Sequence, residues 1–152
     1  MNTDALPKVK PSARRKARKL ALQALYQWQI SENEPADIES QFVEDNNTNK
    51  VDMIYFAELV HGVPRLVAEL DALISPQLSR SLDGVDPVEK AILRIATFEL
   101  KHRLDIPYKV VINEAVELTK LFGATDGHKF VNGVVDKLAL SLREIETKHQ
   151  KK

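Results

Sequence analysis

Apolar residues recur at spacings of three and four along almost the whole chain, and runs of strict alternation are rare. That period predicts helices and an all-α fold. A first helix is expected from Ser12, a favourable N-cap, to about Ile30. At about 100° per residue, Ala13, Ala17, Leu20, Ala21, Ala24 and Trp28 share one arc, with Leu25 at its edge. Arg14, Arg15, Lys16, Arg18 and Lys19 fan across the opposite side, and Tyr26 lies in line with Arg15 and Lys19. Basic charge and an aromatic ring therefore share one expected surface, away from the core.

Caps and breaks divide the remainder. Asp37 can cap a short helix carrying Ile38, Phe42 and Val43, which the Asn-rich turn at 46–49 ends. A longer stretch covers roughly 52–74, with a kink or break expected near Gly62 and Pro64, because Pro64 cannot donate to the carbonyl of Val60. Ser75-Pro76 ends it, and 77–84 reads as a connection with one helical turn. Asp86-Pro87-Val88-Glu89 opens a helix to about Arg103, apolar nearly all round, with Lys90, Arg94, Thr97 and Lys101 as its narrow polar strip. This is the expected central helix. Glu99 falls in its apolar arc, where a buried ion pair or a snorkelling edge residue outweighs a catalytic acid. Pro107 opens the next helix, with Tyr108, Val111, Ile112, Ala115, Leu118 and Phe122 as core face and Gly123 as stop. Thr125 or Asp126 should cap the last, whose expected core residues are Val131, Val134, Val135, Leu138, Leu142 and Ile145.

The chain's 152 residues and 43% hydrophobic content suit one packed globular unit. Its expected parts are a flexible basic arm over 1–11, a helical domain over 12–147 and a basic tail over 148–152. Cysteine is absent, which removes thiol catalysis, disulfides and cysteine-ligated metals. No apolar run reaches the roughly 20 residues of a membrane span, and no signal-peptide core follows the basic start, so a soluble, cytoplasmic protein is expected. His61, His102, His128 and His149 show no metal-ligand spacing, and neither a metal nor another cofactor is expected. Residues 123–129 superficially resemble a phosphate loop, but three rather than four residues separate the glycines and a helix precedes them.

Twenty-two basic residues balance twenty-two acidic ones, yet they are unevenly placed. Residues 1–19 carry seven Lys or Arg against Asp4 alone, and residues 31–60 carry eight acids against Lys50 alone. This asymmetry marks an anion-facing region at the start of the chain. A second candidate is the first turn of the last helix. Its free N–H groups and positive dipole end attract phosphate, His128 and Lys129 add donors, and Phe130 lies about 90° from the core stripe. Such a half-exposed ring can stack on an unpaired base or simply seal the domain edge.

Five spaced blocks carry a wider likeness: 13–18 (ARRKAR), 23–29 (QALYQWQ), 88–96 (VEKAILRIA), 107–115 (PYKVVINEA) and 122–133 (FGATDGHKFVNG). In this order and spacing, from about Lys10 to Leu138, the chain resembles the NusB family of bacterial transcription antitermination factors. The resemblance implies about seven helices in two helical subdomains. It further implies binding of the single-stranded boxA RNA element, and of NusE, the small-subunit ribosomal protein, in a complex that loads onto RNA polymerase at ribosomal RNA operons. No enzymatic activity is implied. Residues matching the family's RNA-binding surface are Lys10, Arg14, Arg15, Arg18, Lys19, Tyr26, Asp126, His128, Lys129 and Phe130, and Glu89 matches the surface facing NusE. Pro64 departs from a helix that usually continues in the family, and the residues before Lys10 lengthen the arm. The competing reading is a helical adaptor without specific RNA binding, docking proteins through the acidic 31–60 region and the central helix.

Overall fold

Eight α-helices and two short 3₁₀ turns organise residues 10–150, which the computed structural model describes, and no strand occurs among them. The helices are α1 (Pro11–Ser31), α2 (Pro35–Asp45), α3 (Met53–Arg65), α4 (Val67–Ile74), α5 (Pro87–His102), α6 (Tyr108–Phe122), α7 (Gly127–Leu142) and α8 (Glu144–Gln150). The 3₁₀ turns are Ser75–Gln77 and Leu82–Gly84. α1, α2 and α3 pack as one group, while α5, α6 and α7 form a second with α4 lying on α5. α1 joins the groups by packing against both α3 and α5. No helix among the described residues is long and apolar enough to cross a membrane.

Proline chemistry sets several helix starts. α1 begins at Pro11 rather than at Ser12, and the preceding Lys10 has extended backbone with no side-chain cap. Proline at a first helical position costs nothing, because that N–H is unsatisfied anyway. α2 likewise opens at Pro35, with Asp37 in its first turn and not at its cap. Of the expected basic arm, Pro11 thus belongs to α1 and residues 1–9 lie outside the described residues. Of the expected tail, Lys148 and His149 belong to α8, and residues 151–152 lie outside.

The helix start at Asp86 forms as expected, and Asp52 adds an acid cap to α3. Asp52 accepts from the Tyr55 N–H at 3.0 Å, and Asp86 accepts from Val88 and Glu89 at 2.9 and 3.2 Å. The expected break follows Pro64 by two residues: α3 runs to Arg65, and the Leu66 N–H bonds to the Gly62 carbonyl at 3.0 Å. Gly62 has a packing role there, since a β-carbon would stand 2.7 Å from the Phe98 ring of α5.

Several side chains depart from their expected faces. Thr97, expected in the polar strip, is fully buried and donates its hydroxyl to the Leu93 carbonyl at 2.7 Å. Phe122 lies at the surface where α6 ends. Ile145 is exposed, because the chain breaks at Arg143 instead of continuing α7. Buried Arg143 donates to the carbonyls of Leu100, Glu99 and Arg103 at 2.8, 3.2 and 3.0 Å, satisfying the C-terminal end of α5.

The largest departure is Arg18, which is only 4% exposed. Its Nε donates to Glu99 at 2.7 Å, and its Nη1 lies 3.8 Å from Glu114. The Tyr55 hydroxyl also donates to Glu99. Burial pushes the Glu99 carboxyl above its ordinary range, with Arg18 and Tyr55 opposing. Burial alone would lower the Arg18 guanidinium, but Glu99, Tyr55 and Glu114 hold it above its usual value. Arg18 is therefore part of the core, and its expected place on the outer face, away from the core, is corrected. Glu99→Gln leaves this guanidinium buried with its main counter-charge gone, and is expected to lower unfolding stability by about 3–5 kcal/mol in urea titrations. Lys16→Ala, on the exposed face, should stay within about 0.5 kcal/mol of the parent.

Candidate nucleic-acid interface

With Arg18 turned inward, α1 presents Arg15, Lys16, Lys19, Gln23 and Tyr26 to solvent. Its arginines are already engaged. Arg14 is largely covered, its guanidinium 4.8 Å from the Tyr55 ring centroid and its nitrogens 3.8 Å from Asp52 and 4.0 Å from Asp105. Arg15 is exposed, but its Nε reaches both Glu114 oxygens at 3.2 Å. These arginines line a cleft of about 350 Å³ between the starts of α1 and α6, where Asp105 and Glu114 compensate their charge. Lys16 and Lys19 carry the uncompensated charge: both are exposed, and neither forms an ion pair among the described residues. Lys10 is exposed at the N-terminal end of the same helix.

Lys19 connects α1 to the second region. Its ammonium lies 6.0 Å from the ring centroid of Phe122, which is 37% exposed at the C-terminal end of α6. Gly123 closes that helix through its N–H to the Thr119 carbonyl at 2.7 Å, and α7 begins four residues later. The N-cap position is Asp126, in the left-handed region at φ 65°, and its side chain makes no cap hydrogen bond. The expected capping role of Thr125 or Asp126 is thus absent. Aspartate tolerates this backbone better than most residues do. The Asp126 carboxylate lies 3.8 Å from the Lys129 ammonium on the exposed surface. Phe130 is half-buried as expected, packed on the core's edge, and the Arg80 guanidinium lies 5.0 Å from its ring centroid.

Glu89 faces inward, contrary to its expected place on a partner-facing surface. It is 5% exposed. Burial pushes its carboxyl above the ordinary range, Asp86 adds to this, and the Ala124 N–H and Arg80 oppose it. A β-carbon on Gly127 would run into this carboxylate. Glu89 therefore fills the space beneath the 123–127 loop and supports it, leaving no room for a side chain at 127.

Two surface groups escaped sequence reading. Phe122 fitted the apolar period and was assigned to the core, although its place just before a glycine stop was a signal that packing ends there. Arg80 stands in a connection, where no periodicity relates it to Phe130.

The NusB family model matches residues 15–140. A transcription antitermination protein NusB of Pseudomonas putida is 54% identical over 149 residues, spanning 98% of this chain and 90% of that protein. Its counterpart in Shewanella halifaxensis is 61% identical over 130 residues, spanning 86% and 96%. Among solved structures, T. maritima NusB aligns with a TM-score of 0.72 at 32% identity, over 87% of this chain and 92% of that one. A chain from the crystal structure of antitermination factors NusB and NusE in complex with dsRNA aligns with a TM-score of 0.76 at 28% identity, over 87% and 99%.

The close fit of Glu89 to Gly127 predicts strong coupling. Gly127→Ala should cost about 1–3 kcal/mol in the parent, through overpacking and displacement of a buried carboxylate. In a Glu89→Ala background the same change should cost at least about 0.5 kcal/mol less. Equal costs in the two backgrounds, measured by urea unfolding, would show that Glu89 does not support the loop.

Proposed function

The chain belongs to the NusB family, and from that premise we propose that it is a transcription antitermination factor. It binds the boxA element of ribosomal RNA operons as single-stranded RNA together with NusE, and the complex promotes processive transcription by RNA polymerase. The role is regulatory rather than catalytic, and it is exercised in the cytoplasm. The observation that carries this reading is the approach of Lys19 to Phe122, which makes one surface of two segments about a hundred residues apart in the chain.

The two halves of that surface have different tasks. Lys10, Lys16 and Lys19, with Arg15 beside them, attract phosphates and release counterions without reading sequence. Tyr26 lies two turns beyond Lys19 on the same face and offers a second ring. His128 and Lys129 add donors at the start of α7, and Phe130 supplies the stacking ring. Asp126 repels phosphate but can accept from base N–H groups. Arg14, Arg18 and Glu89 act behind this surface by holding α1 and the 123–127 loop in place. NusE adds a second RNA-contacting surface, so that RNA and NusE each tighten the other's binding by the same factor.

Two variants test the division of labour. Lys16→Ala/Lys19→Ala should weaken binding to boxA and scrambled RNA alike and reduce the slope of log affinity against log salt by about 0.7 for each lost phosphate contact. Phe130→Leu should instead lower the ratio of boxA to scrambled affinity at one fixed salt concentration, by a factor of about 5–10. Folded variants with unchanged slope and unchanged ratio would contradict the RNA reading and favour the adaptor.

A further inference from the structure

One exposed cation beside this surface has no role in the reading above. Arg80 stands between the two 3₁₀ turns, outside every helix, and forms no ion pair among the described residues. Its guanidinium lies 5.0 Å from the Phe130 ring centroid, while the ring itself packs against the edge of the core. Phe130 thus meets solvent with a planar cation already over it. A base arriving at this ring encounters the guanidinium and the phenyl group together.

We propose that Arg80 is a specificity-determining residue of the RNA site, forming with Phe130 a composite platform whose guanidinium plane stacks with a base while its N–H fork addresses a base edge. The inference rests on the RNA reading and deepens it. Arginine suits this task through its shape. Its guanidinium is flat, stacks on aromatic and base faces, and presents donors in its own plane, whereas a lysine ammonium is a hydrated point charge. The position suits it too. Arg80 faces the buried Glu89 carboxylate from beyond ion-pair distance, so its N–H fork is attracted to that side but not held there, and its donors can turn to RNA. The ring below it is fixed by core packing and limits where the guanidinium can lie. Pairing a fixed ring with an adjustable fork gives stacking that tolerates any base and hydrogen bonding that does not.

The test is a set of RNA titrations, followed by fluorescence anisotropy at one salt concentration, with a boxA single strand and its scrambled counterpart. The full chain is compared with Arg80→Ala, Arg80→Lys, Phe130→Leu and the Arg80→Ala/Phe130→Leu double variant. Arg80→Ala is expected to lower boxA affinity roughly tenfold and scrambled affinity much less. Arg80→Lys should fall nearly as far, and the double variant should lose clearly less than the product of the two single losses, because the two groups act as one platform. Urea midpoints should match the parent for Arg80→Lys, which keeps the charge facing Glu89, and fall only slightly for Arg80→Ala, since the side chain is exposed. Full rescue by Arg80→Lys would overturn the proposal by reducing Arg80 to a phosphate charge, as would strictly multiplicative losses. Unchanged boxA affinity in Arg80→Ala alongside a loss in Phe130→Leu would overturn this inference alone, including where Arg80→Ala weakens only NusE binding. Unchanged boxA affinity in Phe130→Leu would overturn the platform and remove Phe130 from the RNA site, and joined by an unchanged salt slope in Lys16→Ala/Lys19→Ala it would strike the RNA reading itself.

Discussion

The buried pairing of Arg18 with Glu99 fixes how α1 sits, and the exposed surface follows from it. A guanidinium inside a protein is tolerable only with counter-charge and hydrogen bonds around it. Here α5 supplies Glu99, α6 supplies Glu114, and the Tyr55 hydroxyl of α3 donates to the same Glu99 carboxylate. Four helices therefore meet at one polar cluster. Once Arg18 points inward, helical geometry places Arg15, Tyr26 and Lys19 about 60–100° round α1 from it, and Lys16 about 160° round. That rotation brings Lys19 over Phe122 and leaves Lys16 free in solvent.

α5 serves both halves of the surface. Glu99 in its last turn anchors α1, and Glu89 in its first turn supports the loop that leads into α7. Ten residues of helix separate the two positions by about 15 Å along the axis. Both are buried, and burial pushes both carboxyls above the ordinary range. Their chemistry resembles that of functional acids, but each is spent on positioning. The surface that they position carries exposed lysines and the rings of Phe122, Phe130 and Tyr26.

Much of this was legible in the sequence where the cause is local. The cap at Asp86, the break after Pro64 and the stop at Gly123 each depend on residues within one or two turns, and each forms. The half-burial of Phe130 likewise followed from its place on the helical wheel. What was illegible depended on distant partners. Arg18 reads as exposed until Glu99, 81 positions away, is known to face it. Glu89 reads as a helix-start acid open to a partner until Gly127 comes close beside it. Ile145 reads as core because its period continues that of α7, but Arg143 is drawn off to the end of α5 and the chain turns. A basic cluster in a sequence records charge, and it does not record which cations the fold has already neutralised.

Arg18 spends its charge inside the core on Glu99 and Glu114, and is expected to neutralise no phosphate itself. The most direct measurement is the salt dependence of boxA affinity in an Arg18→Met/Glu99→Gln double variant, which removes both charges together and leaves neither buried alone. The expected slope of log affinity against log salt equals the parent's, because no phosphate contact is lost. A slope smaller by about 0.7 or more would mean that Arg18 itself neutralises a phosphate, and would contradict the account.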